Sequence, residues 1–513
     1  MNKQNLHINE TMLQGFEWYL PNDGLHWKRI GDLAPQWRRD GITKVWLPPA
    51  TKGTEGKKDV GYGVYDPYDL GEFRQKGSVR TKYGTLKQYL DAISRLKAQH
   101  IEPLSDMVMN HRLGADRTEK VMARSVNPVN RNEISDDSFE AEVYTGFTFP
   151  GRGRKYSSFV WDHRRFSSVD YDCRDTSHHL MLLEDKSFAK DVDDELGNFD
   201  YLMGANVDLG DPEVRAEMIR WGEWYLKKTG VQGFRLDAVK HMSAEYVKDW
   251  LSALRENSGK PLFTVGEYWS ADLEHLRNYL DETGHELTLF DVPLHMRLAE
   301  ISRHPGEADL RTLFEGTLVG TEPRMAVTFV DNHDTQPGQA LESWVDGWFK
   351  SMAYSLILLR REGIPCVFYG DLYGIPDSGI GKVSELEMLM KLRSRCAYGR
   401  QHDYADEQKV LGFTREGVHQ MKESGLACLI SIGEAAEKRM YVGRVHRGEV
   451  WQSVLGGQDS VTIDSRGWGV FRVNAGQTSV YTTARAARRL KTTFMHRTCD
   501  PAEKAQKRVT KAG

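Results

Sequence analysis

Cysteine is scarce: Cys173, Cys366, Cys396, Cys428 and Cys499 are the only five in 513 residues. The number is odd and no CxxC pair occurs, which argues against a disulfide framework or a zinc ribbon. Reduced thiols suit a cytoplasmic protein. Long apolar runs are missing as well, since none reaches the ~18 residues of a membrane span. The longest candidate, Ala353 to Leu359, stops at Arg360 and Arg361 and suits a buried helix. The opening stretch MNKQNLHINETMLQGFEWY has no apolar centre of signal-peptide length. A soluble, cytoplasmic protein is therefore expected. Charge of one sign is also lacking: 69 Lys and Arg face 73 Asp and Glu, for a net charge of -4. Such a balance offers no basic field to nucleic acid or to an anionic membrane. With 28% charged and 40% apolar residues, the chain is neither disordered throughout nor collagen-like.

Aromatic residues are plentiful, with 13 Trp and 21 Tyr. They serve core packing and can also act as stacking platforms for flat-faced ligands such as sugars.

Eight short apolar runs read as buried strands: Met12–Trp18, Ile42–Leu47, Leu104–Met109, Val231–Asp237, Leu262–Glu267, Leu287–Phe290, Met325–Val330 and Ile364–Phe368. Helical patterns lie between most of them. Tyr89, Leu90, Ile93 and Leu96 recur at helical spacing, as do Val247, Trp250, Leu251 and Leu254 behind a Ser243 N-cap. Asp211-Pro212 opens the helix of Met218, Trp221 and Tyr225 with a capping residue and a first-turn proline. Eight alternations imply an α/β (β/α)8 TIM barrel.

Residues 1–111 and 212–396 are assigned to that barrel. The interval 112–211 is too long for a structureless loop and is assigned to a small inserted domain after strand three. Residues 397–483 carry short strands with Gly and Asp turns and are read as a C-terminal β-sandwich. From Thr482 the chain has nine Lys/Arg and two acids, and 484–513 is read as a disordered basic tail.

Barrel catalysis takes place at the C-terminal ends of strands. Strand three ends Asp106-Met-Val-Met-Asn110-His111, and strand four ends Arg235-Leu-Asp237, followed by Lys240-His241. Strand five ends Glu267-Tyr268-Trp269, and strand seven ends Asp331-Asn332-His333-Asp334. Arg235 and Asp237 are two apart on a strand and share a face, so the cation is expected to lower the Asp237 pKa and keep it ionised. Tyr268 and Trp269 can shield Glu267 from water, which raises a carboxyl pKa and suits a general acid. One charged and one protonated carboxyl is the pattern of glycoside hydrolysis.

At these residues the sequence resembles the α-amylase family of retaining glycoside hydrolases. DMVMNH, GFRLDAVKH, GEYW and FVDNHD match its four signature segments, in order and at strand ends. The resemblance runs from QGFEWY at Gln14, through VGYGVYDPYD at Val60, to about Tyr481. LGNFDYLM and DNHDTQP point to the liquefying and cytoplasmic bacterial branch.

The resemblance implies that Asp237 is the nucleophile, Glu267 the acid/base and Asp334 a third carboxylate stabilising the transition state. Arg235 then partners the nucleophile, while His111 and His333 hydrogen-bond the sugar beside the scissile bond. Tyr62 is the platform under that sugar, and Lys240 and His241 make contacts on the leaving-group side. It also implies a structural calcium held by Asn110, Asp200, Asp208 and the His241 carbonyl, oxygen ligands that suit a hard cation. The branch typically has Asp where this chain has Asn206.

The acidic run Asp191, Asp193, Asp194, Glu195 fails the EF-hand spacing, because Gly197 is one position late and Leu202 stands where the bidentate Glu belongs. It is read as a solvated face. The implied activity is endo-hydrolysis of α-1,4-glucosidic bonds in starch, glycogen or maltodextrin. The alternative is transglycosylation on α-1,4-glucans with the same residues. A non-catalytic transporter-subunit relative would need a membrane anchor and would usually lack part of the carboxylate set, and the sequence satisfies neither condition.

Overall fold

The computed structural model describes residues 8–457 and 459–495, the last three without their side chains. Eight parallel strands close a barrel: β1 (Met12–Gln14), β2 (Lys44–Leu47), β3 (Glu102–Met107), β4 (Gly233–Leu236), β5 (Phe263–Gly266), β6 (Thr288–Phe290), β7 (Ala326–Phe329) and β8 (Ile364–Phe368). Each pairs with its sequence neighbours and β1 closes on β8. The strands are buried almost throughout because helices cover their outer face and side chains fill the interior.

The local signals act as expected at the helices. The Ser243 hydroxyl accepts the Tyr246 N–H at 3.1 Å, and the Asp211 carboxylate accepts that of Glu213 at 2.8 Å. Gly347–Leu359 is buried along Met352–Leu359, as its all-round apolar sequence requires. β1 is shorter than expected, because Phe16 and Trp18 leave the sheet to place their rings in the cleft.

Between β3 and β4 the chain builds an antiparallel sheet of six strands. Their spatial order is His111–Arg112, Ala205–Val207, Phe166–Asp172, Ser177–Leu183, Arg117–Val126 and Ile134–Gly146. It is anchored through Arg152, whose Nε donates to Asp66 Oδ2 at 2.8 Å, both side chains buried.

The acidic run is a solvated face only in part: Asp194 and Glu195 are exposed, but Asp191 and Asp193 turn inward. Asp193 is only 6% exposed and accepts the Tyr268 hydroxyl at 2.5 Å. Asp191 accepts the Ser243 hydroxyl at 2.7 Å. The run folds back onto the ends of β4 and β5, where Lys240 pairs with both Asp193 and Glu195.

After the barrel, six antiparallel strands and a two-stranded sheet (Ala436–Tyr441 with Trp468–Val473) enclose a second core around Trp451, Phe471 and Tyr481. Gln401–Glu407 and Val450–Leu455 are additional strands. The first of these is mostly exposed and too polar to announce itself.

The reading of the tail as disordered is corrected over its first part. Ala484–Met495 is a helix that buries Ala486, Ala487 and Leu490. Its basic residues face outward, and Arg485 and Arg489 both reach Glu423 at 2.9 Å. Residues 496–513 lie outside the described residues.

Candidate active site

Parallel register sets the site. Arg235 in β4 stands beside Asp106 in β3 and Val265 in β5, and Leu236 stands beside Gly266. The next residues, Asp237 and Glu267, therefore emerge side by side at the barrel mouth. The Arg235 guanidinium, with no exposed surface, binds three carboxylates. One terminal nitrogen lies 2.8 Å from Asp106 and 2.5 Å from Asp237, and the other lies 2.7 Å from Glu267. Trp46 lies under the guanidinium at 4.8 Å and donates its indole N–H to Asp106 at 2.9 Å. Asp106 also accepts the Tyr62 hydroxyl at 2.9 Å.

Ala238 turns the chain sharply with a left-handed φ of 51°, a conformation that costs a residue with a Cβ about 1–2 kcal/mol. In return its N–H donates to Glu267 Oε2 at 3.2 Å.

Asp334 closes the cluster, with Oδ2 3.2 Å from His333 Nε2. His333, Tyr62 and Trp18 pack against one another, with centroids 5.1 Å apart for His333–Tyr62, 5.9 Å for His333–Trp18 and 6.0 Å for Trp18–Tyr62, and the rings of Trp18 and Tyr62 are within 3° of parallel. His111 is fixed by its Nε2, 2.8 Å from the Tyr62 carbonyl, and its Nδ1 has no protein partner. Burial pushes the His111 and His241 rings down to about 4 and His333 well below its usual range, so all three are neutral near pH 7.

The expected lowering of the Asp237 pKa is not found. Burial raises Asp237, and Arg235 opposes this without overcoming it. The reason is stoichiometric: one guanidinium serves three buried carboxyls, with Asp334 close by. Burial lifts Asp106 to about 7, raises Glu267, and raises Asp334 well above the ordinary range. Burial thus favours the protonated form throughout the cluster.

Lys240 and His241 make their contacts with the inserted segment. Lys240 pairs with Glu195 and donates to the Trp269 carbonyl at 3.3 Å. His241 Nδ1 lies 2.6 Å from the Phe199 carbonyl. Below them, the Asn110 amide nitrogen donates to the carbonyls of His241 (3.0 Å) and Asp200 (3.3 Å). Asp208 instead accepts from Lys186 at 2.6 Å. Asp200 and Asp208 line a shared cavity of about 170 Å³. Asn206, fully buried, donates to the Ser167 hydroxyl at 2.9 Å.

Sequence reasoning noted Asp106 only as part of a motif and missed Trp46, Trp18 and Asp193 as site residues. A signal existed for Asp106, since a carboxylate inside an apolar barrel strand demands a buried cation. None existed for Asp193, whose neighbours read as solvent-facing.

Residues 38–423 match the family model described as alpha amylase, catalytic domain. An alpha-amylase of Geobacillus stearothermophilus is 50% identical over 92% of this chain and 87% of its own. The cytoplasmic alpha-amylase of Escherichia coli K12 is 41% identical over 92% of this chain and 98% of its own. The crystal structure of an Anoxybacillus alpha-amylase superposes with a TM-score of 0.61, covering 93% of this chain and 98% of that one at 17% identity. A closed eight-stranded barrel, carboxyls gathered at the C-terminal ends of its strands, and these sequence matches agree: the chain belongs to the alpha-amylase family.

Proposed function

We propose that this enzyme hydrolyses internal α-1,4-glucosidic bonds of starch, glycogen or maltodextrin by a retaining double displacement. The observation that carries the reading is the Arg235 fork, which holds Asp237 on one nitrogen and Glu267 on the other at 2.5 and 2.7 Å. Carboxyls shared by one guanidinium are held close to each other, which suits the ~5–5.5 Å separation of a retaining pair. Asp237 attacks the anomeric carbon while Glu267 protonates the departing glycosidic oxygen. Glu267 then takes a proton from water as that water displaces Asp237. Two inversions leave the α configuration. Asp334 stabilises the positive charge that develops on the sugar. Tyr62 supports that sugar from below, and the neutral His111 and His333 hydrogen-bond it. Lys240 and His241 serve the leaving-group side.

The residues assigned to calcium suit it. Asn110 Oδ1 and Asn206 Oδ1 are buried acceptors without a partner, and Asp200 is a buried carboxylate. Turning the Asn110 amide over brings its oxygen to the His241 and Asp200 carbonyls, a cluster of oxygens that a hard cation satisfies. Calcium bound there would supply positive charge that ties the inserted sheet to the barrel. The relative in Escherichia coli is named cytoplasmic, and no helix among the described residues is long and apolar enough to cross a membrane. We place this enzyme in the cytoplasm as well.

Incubation of the purified enzyme with maltoheptaose tests the reading, with product sizes and anomeric form followed by NMR. Internal cleavage with α products first is expected. Early β-anomer would remove Asp237 as nucleophile. An added acceptor sugar that captured most of the glycosyl groups would shift the reading to transglycosylation.

A further inference from the structure

The side of the calcium cluster formed by Asp208 already carries a cation belonging to the protein. Lys186 Nζ donates to Asp208 Oδ2 at 2.6 Å and to the Arg164 carbonyl at 2.5 Å. The other oxygen, Asp208 Oδ1, accepts the Gly210 N–H at 3.0 Å. Both oxygens of Asp208 are thus engaged within the protein. Its neighbours are not: Asn110 Oδ1 and Asn206 Oδ1 lack partners, and the two residues are 1% and 0% exposed. The cluster is divided into a half short of a cation and a half that has one.

We propose that Lys186 is a tethered cation of this site, occupying Asp208 so that calcium binds mainly through Asn110, Asp200, Asn206 and the His241 carbonyl and must displace the ammonium to recruit Asp208. The inference rests on the calcium reading above. Its physical basis is ligand charge. Among the residues assigned to the ion, Asp200 and Asp208 carry two negative charges and Lys186 returns one, which leaves this set with a single net negative charge. Asn206 adds an oxygen without charge. Calcium affinity follows ligand charge count, so the site is tuned to be weak. The ammonium also holds the segment before Asp191 to the turn His163–Arg165, just ahead of the strand Phe166–Asp172, through the Arg164 carbonyl, so the metal-free enzyme keeps this junction closed.

The test compares the full-length wild type with Lys186→Met, which keeps the length and removes the charge, and with Lys186→Arg, which keeps the charge. All three are stripped of metal by dialysis against a chelator. Calcium binding is measured by titration calorimetry, and melting temperature with and without calcium. Lys186→Met should bind calcium about tenfold more tightly or better. It should melt lower than wild type in chelator and gain more from calcium, because metal that binds the folded state alone stabilises by RT ln(1 + [L]/Kd). Lys186→Arg should titrate like wild type. If Lys186→Met does not fold in chelator, Lys186→Gln is titrated instead, with the same expected gain. Equal calcium titrations for wild type and the neutral variants would overturn this inference alone. No calcium uptake by any of the proteins would overturn it together with the calcium reading.

Discussion

Asp237→Asn and Glu267→Gln should both lower turnover of glucans by orders of magnitude, by different routes. The loss for Glu267→Gln is expected at about 10²–10⁴-fold, the contribution of general acid–base catalysis. For Asp237→Asn it should be at least as large. A substrate with a fluoride leaving group needs no protonation, so it should restore the first displacement in Glu267→Gln but not in Asp237→Asn. Equal rescue in burst kinetics would contradict the assigned roles.

The buried carboxyls also fix the sign of a pH effect. Asp106 rises from 3.8 to about 7 on folding. A carboxyl whose pKa is raised in the folded state binds its proton more tightly there. Its stabilising contribution is full below the unfolded value and is lost as pH rises through about 7. Melting temperature should therefore fall as pH rises from about 3.8 to about 7, and Asp106→Asn should flatten that slope. A slope unchanged in the variant would remove Asp106 as its source.

Asn206→Asp belongs to the same scale. It places a carboxylate beside the buried Asp200, so it should lower the melting temperature in chelator and enlarge the rise with calcium. Identical calcium titrations would make Asn206 a packing residue.

At the scale of elements, the Arg152–Asp66 pair joins the inserted sheet to the loop after β2. Both side chains are almost fully buried, at 2% and 0% exposure. Arg152→Met strands the Asp66 carboxylate with only its Gln75 and Tyr68 hydrogen bonds, at 2.8 and 3.1 Å. Breaking a buried pair from one side costs about 3–5 kcal/mol. Urea unfolding should show that loss, and Asp66→Asn in the same chain should recover part of it. The cost comes from the uncompensated charge, so a loss that the second substitution leaves untouched would place it in packing instead. This pair was hidden in the sequence. GRGRKY has the composition of a solvated turn, and only the fold brings Arg152 to a carboxylate 86 positions earlier.

Across the whole molecule, one apolar core runs from the barrel through the inserted sheet into the C-terminal strands, taking in Leu411, Phe413, Ile430 and Val480. Helix Gly347–Leu359 lies between the two. Thr478 donates its hydroxyl to that of Ser355 at 3.3 Å, and Arg415 donates to the Leu359 carbonyl at 3.3 Å. The barrel and C-terminal sheets should therefore melt together, as a single calorimetric transition. A chain ending at residue 397 uncovers the apolar face of that helix and should aggregate or melt well below the full chain. Two separated transitions in the intact protein would contradict a shared core.

What the sequence alone determined is local or repetitive. Apolar runs at barrel spacing, the Ser243 and Asp211 caps, and four segments at strand ends specify the barrel, the carboxylates and the family, because each signal is written in neighbouring residues. The tertiary structure decided the partners and with them the protonation. Asp106 reaches Arg235 across 129 positions, Asp193 reaches Tyr268 across 75, and Lys186 reaches Asp208 across 22. It also turned the expected direction of the Asp237 pKa, since three buried carboxyls draw on one guanidinium. A sequence names each charged group. The energy of that charge depends on the water it loses and the counter-charge it meets, and both are set only when distant strands close into a barrel.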